Sequence, residues 1–123
     1  MKKINTARKG HPDPKFSLQD VRPLLKDIDT KPVAVRRSVM RSLSLTDIPK
    51  SLRGLAFDKA SELFADRSET VAVKVFAMSV MTQIALQEAG LKNEVIIGIE
   101  EQLPYGSAAY RSRAAKLLKA LKR

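Results

Sequence analysis

The chain is 123 residues long and 44% hydrophobic, which is enough for one domain with one continuous core. It has no cysteine, so disulfide bonds and thiolate metal sites are excluded, and no apolar run approaches the length of a membrane span. The formal net charge is +10, but residues 17–105 hold 12 basic and 12 acidic side chains, so the excess lies at the two ends. We therefore expect a soluble, cytoplasmic, basic protein with an N-terminal arm over residues 1–16 and one folded domain over residues 17–123.

Apolar residues recur at intervals of three and four from residue 17 onward, which predicts amphipathic helices. The first helix is expected to start at Ser17, where "SLQD" is typical of a capping box, and Pro23 is expected to bend it or mark its first turn. The second helix is expected to follow Thr30, with Pro32 in its first turn where the missing amide costs least, and to end near Leu45.

Four further helices follow the same rules. The third is expected to open at Asp47, and the fourth to cover residues 68–88, with Gly90 as a left-handed terminal residue. The fifth covers residues 91–103, and Ser107 is expected to cap the sixth. No alternating strand pattern of useful length is present in the sequence, which therefore predicts an all-α protein of six helices joined by short turns.

The second, fourth and sixth helices repeat one another in register. A basic residue recurs at separations of 38 and 37 residues, in the column Arg36, Lys74 and Arg111. Four further columns keep an apolar character at the same separations: Val35, Val73 and Tyr110; Val39, Ala77 and Ala114; Met40, Met78 and Ala115; Leu43, Met81 and Leu118. Five matching columns indicate a repeat of about 38 residues, each unit a pair of antiparallel helices, with Val73 and Ala77 of the middle unit almost fully buried.

A period of this length with paired helices is typical of stacked α-solenoids. The segment "VAVKVFA" resembles the second helix of a HEAT repeat. The longer segments "VAVKVFAMSV" and "LKNEVIIGIEEQLPYGSAAYRSRAAKLLKAL" are similar to the C-terminal part of small bacterial HEAT-like proteins of uncharacterised function. The resemblance covers residues 17–122 and implies a right-handed solenoid of the armadillo type, with three HEAT-like hairpins. It also implies a binding module or scaffold.

The basic column has two interpretations. Arg36, Lys74 and Arg111 can reach carboxylates at the turns between paired helices, such as Asp29 or Asp66, and would then form a structural ladder between repeats. HEAT-like stacks use this column mainly for such internal pairing. In the other interpretation the three cations face a ligand in an open groove.

No pattern in the sequence predicts catalysis, a cofactor or a metal site. His11 is the one histidine, and it has no partner at metal-ligand or triad spacing. Glu100 and Glu101 are adjacent, so on a helix they point about 100° apart and make a poor catalytic pair. Gly-rich phosphate loops, nucleophile-elbow serines and HExxH are absent from the sequence, and we expect a protein that is not an enzyme.

Two helical enzyme families are set aside on their signatures. DNA glycosylases built from HEAT-like repeats rely on aromatic and acidic residues in a concave cleft, whereas this chain has no tryptophan and two tyrosines. A relative of these glycosylases that lacks the catalytic residues stays as a remote alternative. The helical lyases that release fumarate carry the signature "SSxMPxKxN", which this sequence lacks.

The expected partner is a protein with an acidic segment, since solenoids bind along the surface of their second helices. Candidate contact residues on those helices are Arg37, Arg41, Ser79, Arg113, Lys116 and Lys119. The alternative is nucleic acid or another polyanion, bound non-specifically by the basic arm and by six basic residues of the last segment: Arg111, Arg113, Lys116, Lys119, Lys122 and Arg123. The few aromatic residues argue against sequence-specific reading of single strands. Self-association through an uncovered end of the solenoid is a third interpretation.

Overall fold

The computed structural model describes the chain from residue 18 to residue 123, with side chains from residue 21 onward. The N-terminal arm and the expected cap at Ser17 lie outside the described residues. The described part contains six α-helices: α1 (Leu18–Lys26), α2 (Val33–Ser44), α3 (Lys50–Ala65), α4 (Val71–Gln87), α5 (Lys92–Gln102) and α6 (Ala108–Leu121). It contains no strand, so the prediction of an all-α fold of six packed helices is confirmed there. None of these helices is both long enough and apolar enough to span a membrane.

The helices begin beside residues that favour a helix start, although not always the expected ones. Pro32 lies just before α2 rather than inside its first turn. Thr70 precedes α4, and its Oγ1 accepts a hydrogen bond from the Val73 amide at 3.3 Å. Ser107 precedes α6, where its Oγ accepts from the Tyr110 amide at 3.1 Å. The predicted cap of α6 is therefore confirmed, and α4 uses a later cap than the predicted start at residue 68.

Short 3₁₀ turns follow three of the helices, at Ile28–Thr30, Ala89–Leu91 and Leu103–Tyr105. The first turn takes up Thr30, so α2 starts at Val33, two residues later than expected. Gly90 lies inside the second turn and does not adopt the left-handed conformation, which corrects the prediction for the end of α4. The chain passes from α4 through this turn directly into α5, so a left-handed residue is not needed to stop the helix.

The central helix of the described fold is α4. It contacts α2, α3, α5 and α6, while α1 packs against α2 and α3. Val73 and Ala77 on α4 are fully buried, as the repeat register predicts. A helix covered by four others has little surface left for water, which is why the apolar residues of α4 are not confined to one stripe.

The apolar columns of the repeat are buried less completely on α6 than on α2 and α4. Met40 and Met78 are fully buried, whereas Ala115 is exposed and Leu118 is half-buried. The predicted register thus corresponds to burial at these two columns on α2 and α4 but not on α6.

Candidate functional site

Acidic residues are absent from α2, α4 and α6. These three helices hold eight basic residues, three on α2, one on α4 and four on α6. The acidic residues of the described part lie on α1, α3 and α5 and in the turns. Acidic and basic residues are therefore separated onto different helices, even though residues 17–105 carry no net charge.

Most of the predicted contact residues lie on the solvent-facing side of these three helices. Arg37 and Arg41 are exposed one turn apart on α2, and Arg113 and Lys116 are exposed on α6. On α4, between the other two helices, the half-buried Ser79 accepts a hydrogen bond at its Oγ from Arg113 Nη1 at 3.0 Å. We call the surface of these five residues the basic face.

Two partly exposed apolar residues, Val75 and Phe76, lie on α4 beside Ser79. Val75 is one turn before Ser79, whose Oγ also donates to the Val75 carbonyl at 3.1 Å. Neither residue was expected at a partner surface, because both fit the apolar pattern of a core. The repeat register could have predicted this position for Val75, because it aligns Val75 with the contact candidate Arg37 at a separation of 38 residues. The basic face therefore has an apolar centre on α4.

Arg36 forms a two-point ion pair with Glu69, which lies in the turn before α4. Its Nε donates to Glu69 Oε1 at 2.8 Å and its Nη2 to Oε2 at 3.0 Å, while Nη1 donates to the Lys31 carbonyl at 2.6 Å. The hydrogen bond to Glu69 raises the pKa of Arg36 above its ordinary value. The carboxylate in this contact is thus Glu69, rather than the expected Asp29 or Asp66.

Lys74 holds the equivalent position on α4 but meets only neutral acceptors. Its Nζ donates to the Phe64 carbonyl at 2.9 Å and to Gln102 Oε1 at 3.1 Å, and it lies 5.7 Å from the centre of the Phe64 ring. Gln102 is itself held by a hydrogen bond from its Nε2 to the same carbonyl at 2.9 Å. Burial lowers the pKa of Lys74. Among the described side chains, no carboxylate lies within salt-bridge distance of Lys74.

The remaining members of the predicted ladder do not extend it. Arg111 is exposed on α6, as is the contact candidate Lys119. Asp66 Oδ1 accepts from the Ser68 amide at 2.9 Å and from the Ser68 hydroxyl at 2.7 Å, which lowers the pKa of Asp66. Asp29 is exposed in the turn after α1. Within residues 21–123 the ladder has one ion pair, at Arg36, and the expected pairing is not found at Lys74 or Arg111.

A groove of about 760 Å³ lies beside Lys74, where α3 and α5 end and α4 and α6 begin. Its lining includes the charged side chains of Arg67 and Glu101 and the apolar surfaces of Val71 and Tyr105. Tyr105 is 88% exposed, which is unusual for an aromatic residue. We call this cavity the turn groove. No pattern along the chain predicts it, because its walls come from four helices.

Side chains that could bind a metal ion are not clustered in the described part. No set of three His, Cys, Asp or Glu residues within residues 18–123 has the geometry to hold a metal ion. Glu100 accepts a hydrogen bond from Lys122 Nζ at 2.6 Å, whereas Glu101 lines the turn groove. The two adjacent glutamates thus have different surroundings. His11 lies outside the described residues.

Comparison of the chain with protein-family models, curated proteins and solved structures found no match. Its function is therefore inferred from its own geometry and charges.

Proposed function

We propose that the chain is a non-catalytic helical-repeat binding module, which holds an acidic segment of a protein partner on its basic face. In this proposal the pairs α1 with α2, α3 with α4 and α5 with α6 stack as a short right-handed HEAT-like solenoid. The contacts of α4 with both α2 and α6 support that arrangement. The module would act in the cytoplasm as a scaffold.

The observation that carries the proposal is the absence of acidic residues from three neighbouring helices. Arg37 and Arg41 on one side of α4, and Arg113 and Lys116 on the other, have no carboxylate on these helices to offset their charge. Like charges on one surface repel each other, and an acidic partner relieves that repulsion. Complementary charge also speeds the encounter and disfavours basic partners.

The apolar centre of the basic face favours a protein partner over a phosphate backbone. Val75 and Phe76 are partly exposed on α4, between the basic side chains of α2 and those of α6. An apolar centre with a charged rim is the usual anatomy of a protein interface. A segment with carboxylates on both sides of an apolar side chain would match this surface.

Two double variants with the same change in net charge test the proposal. Arg37→Glu/Arg41→Glu reverses two charges of the basic face, and Lys26→Glu/Lys50→Glu reverses two exposed charges on α1 and α3. A partner is isolated with the wild-type chain as bait, and its affinity for each purified variant is then measured by calorimetry. We expect a loss of about tenfold or more for the basic-face variant and near wild-type affinity for the control.

Two outcomes would contradict the proposal. An equal loss in both double variants would mean that the partner responds to net charge alone. Unchanged affinity of the variant Arg37→Glu/Arg41→Glu would mean that the partner binds elsewhere on the chain.

A second function, the binding of nucleic acid or another polyanion, is favoured by the charge of α6. This helix carries four exposed basic residues and no acidic one: Arg111, Arg113, Lys116 and Lys119. Lys122 contributes less, because Glu100 already pairs with it. The basic N-terminal arm would add to this charge.

A further inference from the structure

The first two helical pairs hold their basic residues by matched contacts that differ in one charge. Arg36 on α2 donates to a backbone carbonyl and to the carboxylate of Glu69 from the second pair. Lys74 on α4 donates to a backbone carbonyl and to the neutral amide oxygen of Gln102 from the third pair. Lys74 thus differs from Arg36 in having no carboxylate within salt-bridge distance among the described side chains.

The turn groove opens at this same place. Lys74 and Gln102 both line it, and its volume of about 760 Å³ falls in the range of sites for small ligands. Tyr105 and Val71, which also line it, are 88% and 45% exposed and offer apolar surface. A half-buried cation beside an exposed aromatic ring suits a ligand with one negative charge and an apolar body.

We propose that the turn groove binds a small organic carboxylate with an aromatic or aliphatic body. The carboxylate accepts a hydrogen bond from Lys74 Nζ, in the role that Glu69 has beside Arg36. The body of the ligand packs against Tyr105 and Val71. This site is separate from the basic face, because Lys74 is not part of that surface, and it does not depend on the proposed protein partner.

The surrounding charges favour a single negative charge over a phosphate. Arg67 and Glu101 both line the groove with opposite charges, and Glu69, which also lines it, pairs with Arg36. Among the described side chains Lys74 has no carboxylate within salt-bridge distance, and Asp66 and Glu69 act on it only over a longer distance. A doubly charged phosphate would bring a second negative charge near Glu69 and Glu101, so these carboxylates would repel it more than they repel a single carboxylate.

Titration with benzoate and its neutral counterpart benzamide, followed by backbone amide chemical shifts, tests the proposal. We expect benzoate to bind with a Kd on the order of 10⁻³ M, given its small number of atoms. Benzamide should bind about tenfold more weakly, because it cannot form the charged hydrogen bond. The shifts should centre on the turn groove. Equal binding of benzamide, shifts centred on Arg37 and Lys116, or tighter binding of inorganic phosphate would each overturn the proposal.

Three variants make the test specific to Lys74. Gln102→Glu supplies the carboxylate from within the chain, so it should raise the thermal midpoint and weaken benzoate binding about tenfold or more. Lys74→Gln should also abolish binding, and Lys116→Gln, which removes one charge from the basic face, should leave it unchanged. If Gln102→Glu binds benzoate as tightly as the wild type, the proposal is wrong, whether or not Lys74→Gln folds.

A free acid and the C-terminus of a peptide share this chemistry, and a second titration separates them. N-acetylphenylalanine is compared with its amide and with benzoate under the same conditions. Tighter binding of N-acetylphenylalanine than of benzoate assigns the groove to a peptide C-terminus, and the reverse order assigns it to a free acid. Equal binding of the acid and its amide would overturn the proposal for both sources.

Discussion

Tyr110 shows at the level of one residue how α6 differs from α2 and α4 at a matching position of the predicted repeat. Val35 and Val73 hold the same column on α2 and α4. The Tyr110 ring stacks on Phe64 with ring centres 6.2 Å apart, and its hydroxyl donates to the Ile99 carbonyl at 2.9 Å. Burial raises the pKa of Tyr110 to about 12. A position that the pattern treats as apolar therefore also ties α6 to α5 by a polar contact.

The stability of the wild-type chain should fall between pH 10 and pH 12 through Tyr110. An unfolded tyrosine ionises near pH 10.0, whereas Tyr110 in the folded chain stays protonated up to about pH 12, so the unfolded state loses its proton first. The contribution of Tyr110 is complete below the lower value and is lost as the pH rises, by up to about 2 to 3 kcal/mol. Urea unfolding at a series of pH values measures this loss of stability.

The variant Tyr110→Phe isolates this contribution from the titration of lysines. It should be less stable than the wild type by about 1 kcal/mol at neutral pH, because the hydrogen bond to Ile99 is lost. The difference should shrink and then change sign as the pH rises toward 12, because the wild type loses more than this difference of about 1 kcal/mol and phenylalanine does not ionise. The exposed Tyr105→Phe serves as the control, and a difference for Tyr110→Phe that does not change with pH would contradict the prediction.

At the level of the helix, α4 combines a fully buried side with a narrow exposed one. Ala77 is fully buried and Ala72 is exposed on the same helix. Small residues at buried positions let neighbouring helices approach closely, and interiors packed to this density have no room for added methyl groups. The two alanines therefore allow one substitution to be tested in two environments.

Ala77→Leu should destabilise the fold by roughly 1 to 3 kcal/mol, because the added atoms overpack the interface around α4. Ala72→Leu should change stability by less than about 0.5 kcal/mol, since its side chain has access to solvent. Chemical denaturation of both variants beside the wild type gives the two free energies. Equal effects at the two positions would mean that the repeat register assigned to α4 is incorrect.

At the level of the whole molecule, the sign of the charge follows the order of the helices. Helices α1, α3 and α5 carry acidic residues, whereas α2, α4 and α6 carry none. The basic face lies on a chain with a net charge of +10, so it attracts any polyanion to some extent. Specific binding of a protein must therefore be distinguished from this general attraction.

Duplex DNA should bind only weakly, with a Kd of about 10⁻⁴ to 10⁻⁶ M at physiological salt and no sequence preference. About four to six phosphate contacts would give a slope of roughly −4 to −5 for log K against log salt. Replacing Arg113, Lys116 and Lys119 by Gln should flatten that slope and leave the helix content unchanged, because these side chains are exposed. Fluorescence anisotropy over a range of salt concentrations measures the affinity and its salt dependence. Sub-micromolar affinity with a clear sequence preference would replace the protein-partner proposal by the polyanion function.

The local elements of this protein were determined by the sequence itself. The six helices, the cap at Ser107 and the burial of Val73 and Ala77 follow from periodicity and from residues within one turn of each other. Contacts over such short separations depend little on the rest of the fold, which is why the pattern predicts them. Boundaries were predicted less well, because Glu69 is used by Arg36 and the cap of α4 moves to Thr70.

Only the tertiary structure decided the chemistry between the helices. The contact of Arg36 with Glu69 spans 33 residues and that of Lys74 with Gln102 spans 28, so a carboxylate in one and an amide in the other cannot be assigned from spacing. The turn groove and the exposure of Phe76 likewise depend on how α4 packs against its neighbours. The predicted repeat aligns Arg36 with Lys74, but their partners come from distant segments of different sequence, Glu69 in the turn before α4 and Gln102 at the end of α5.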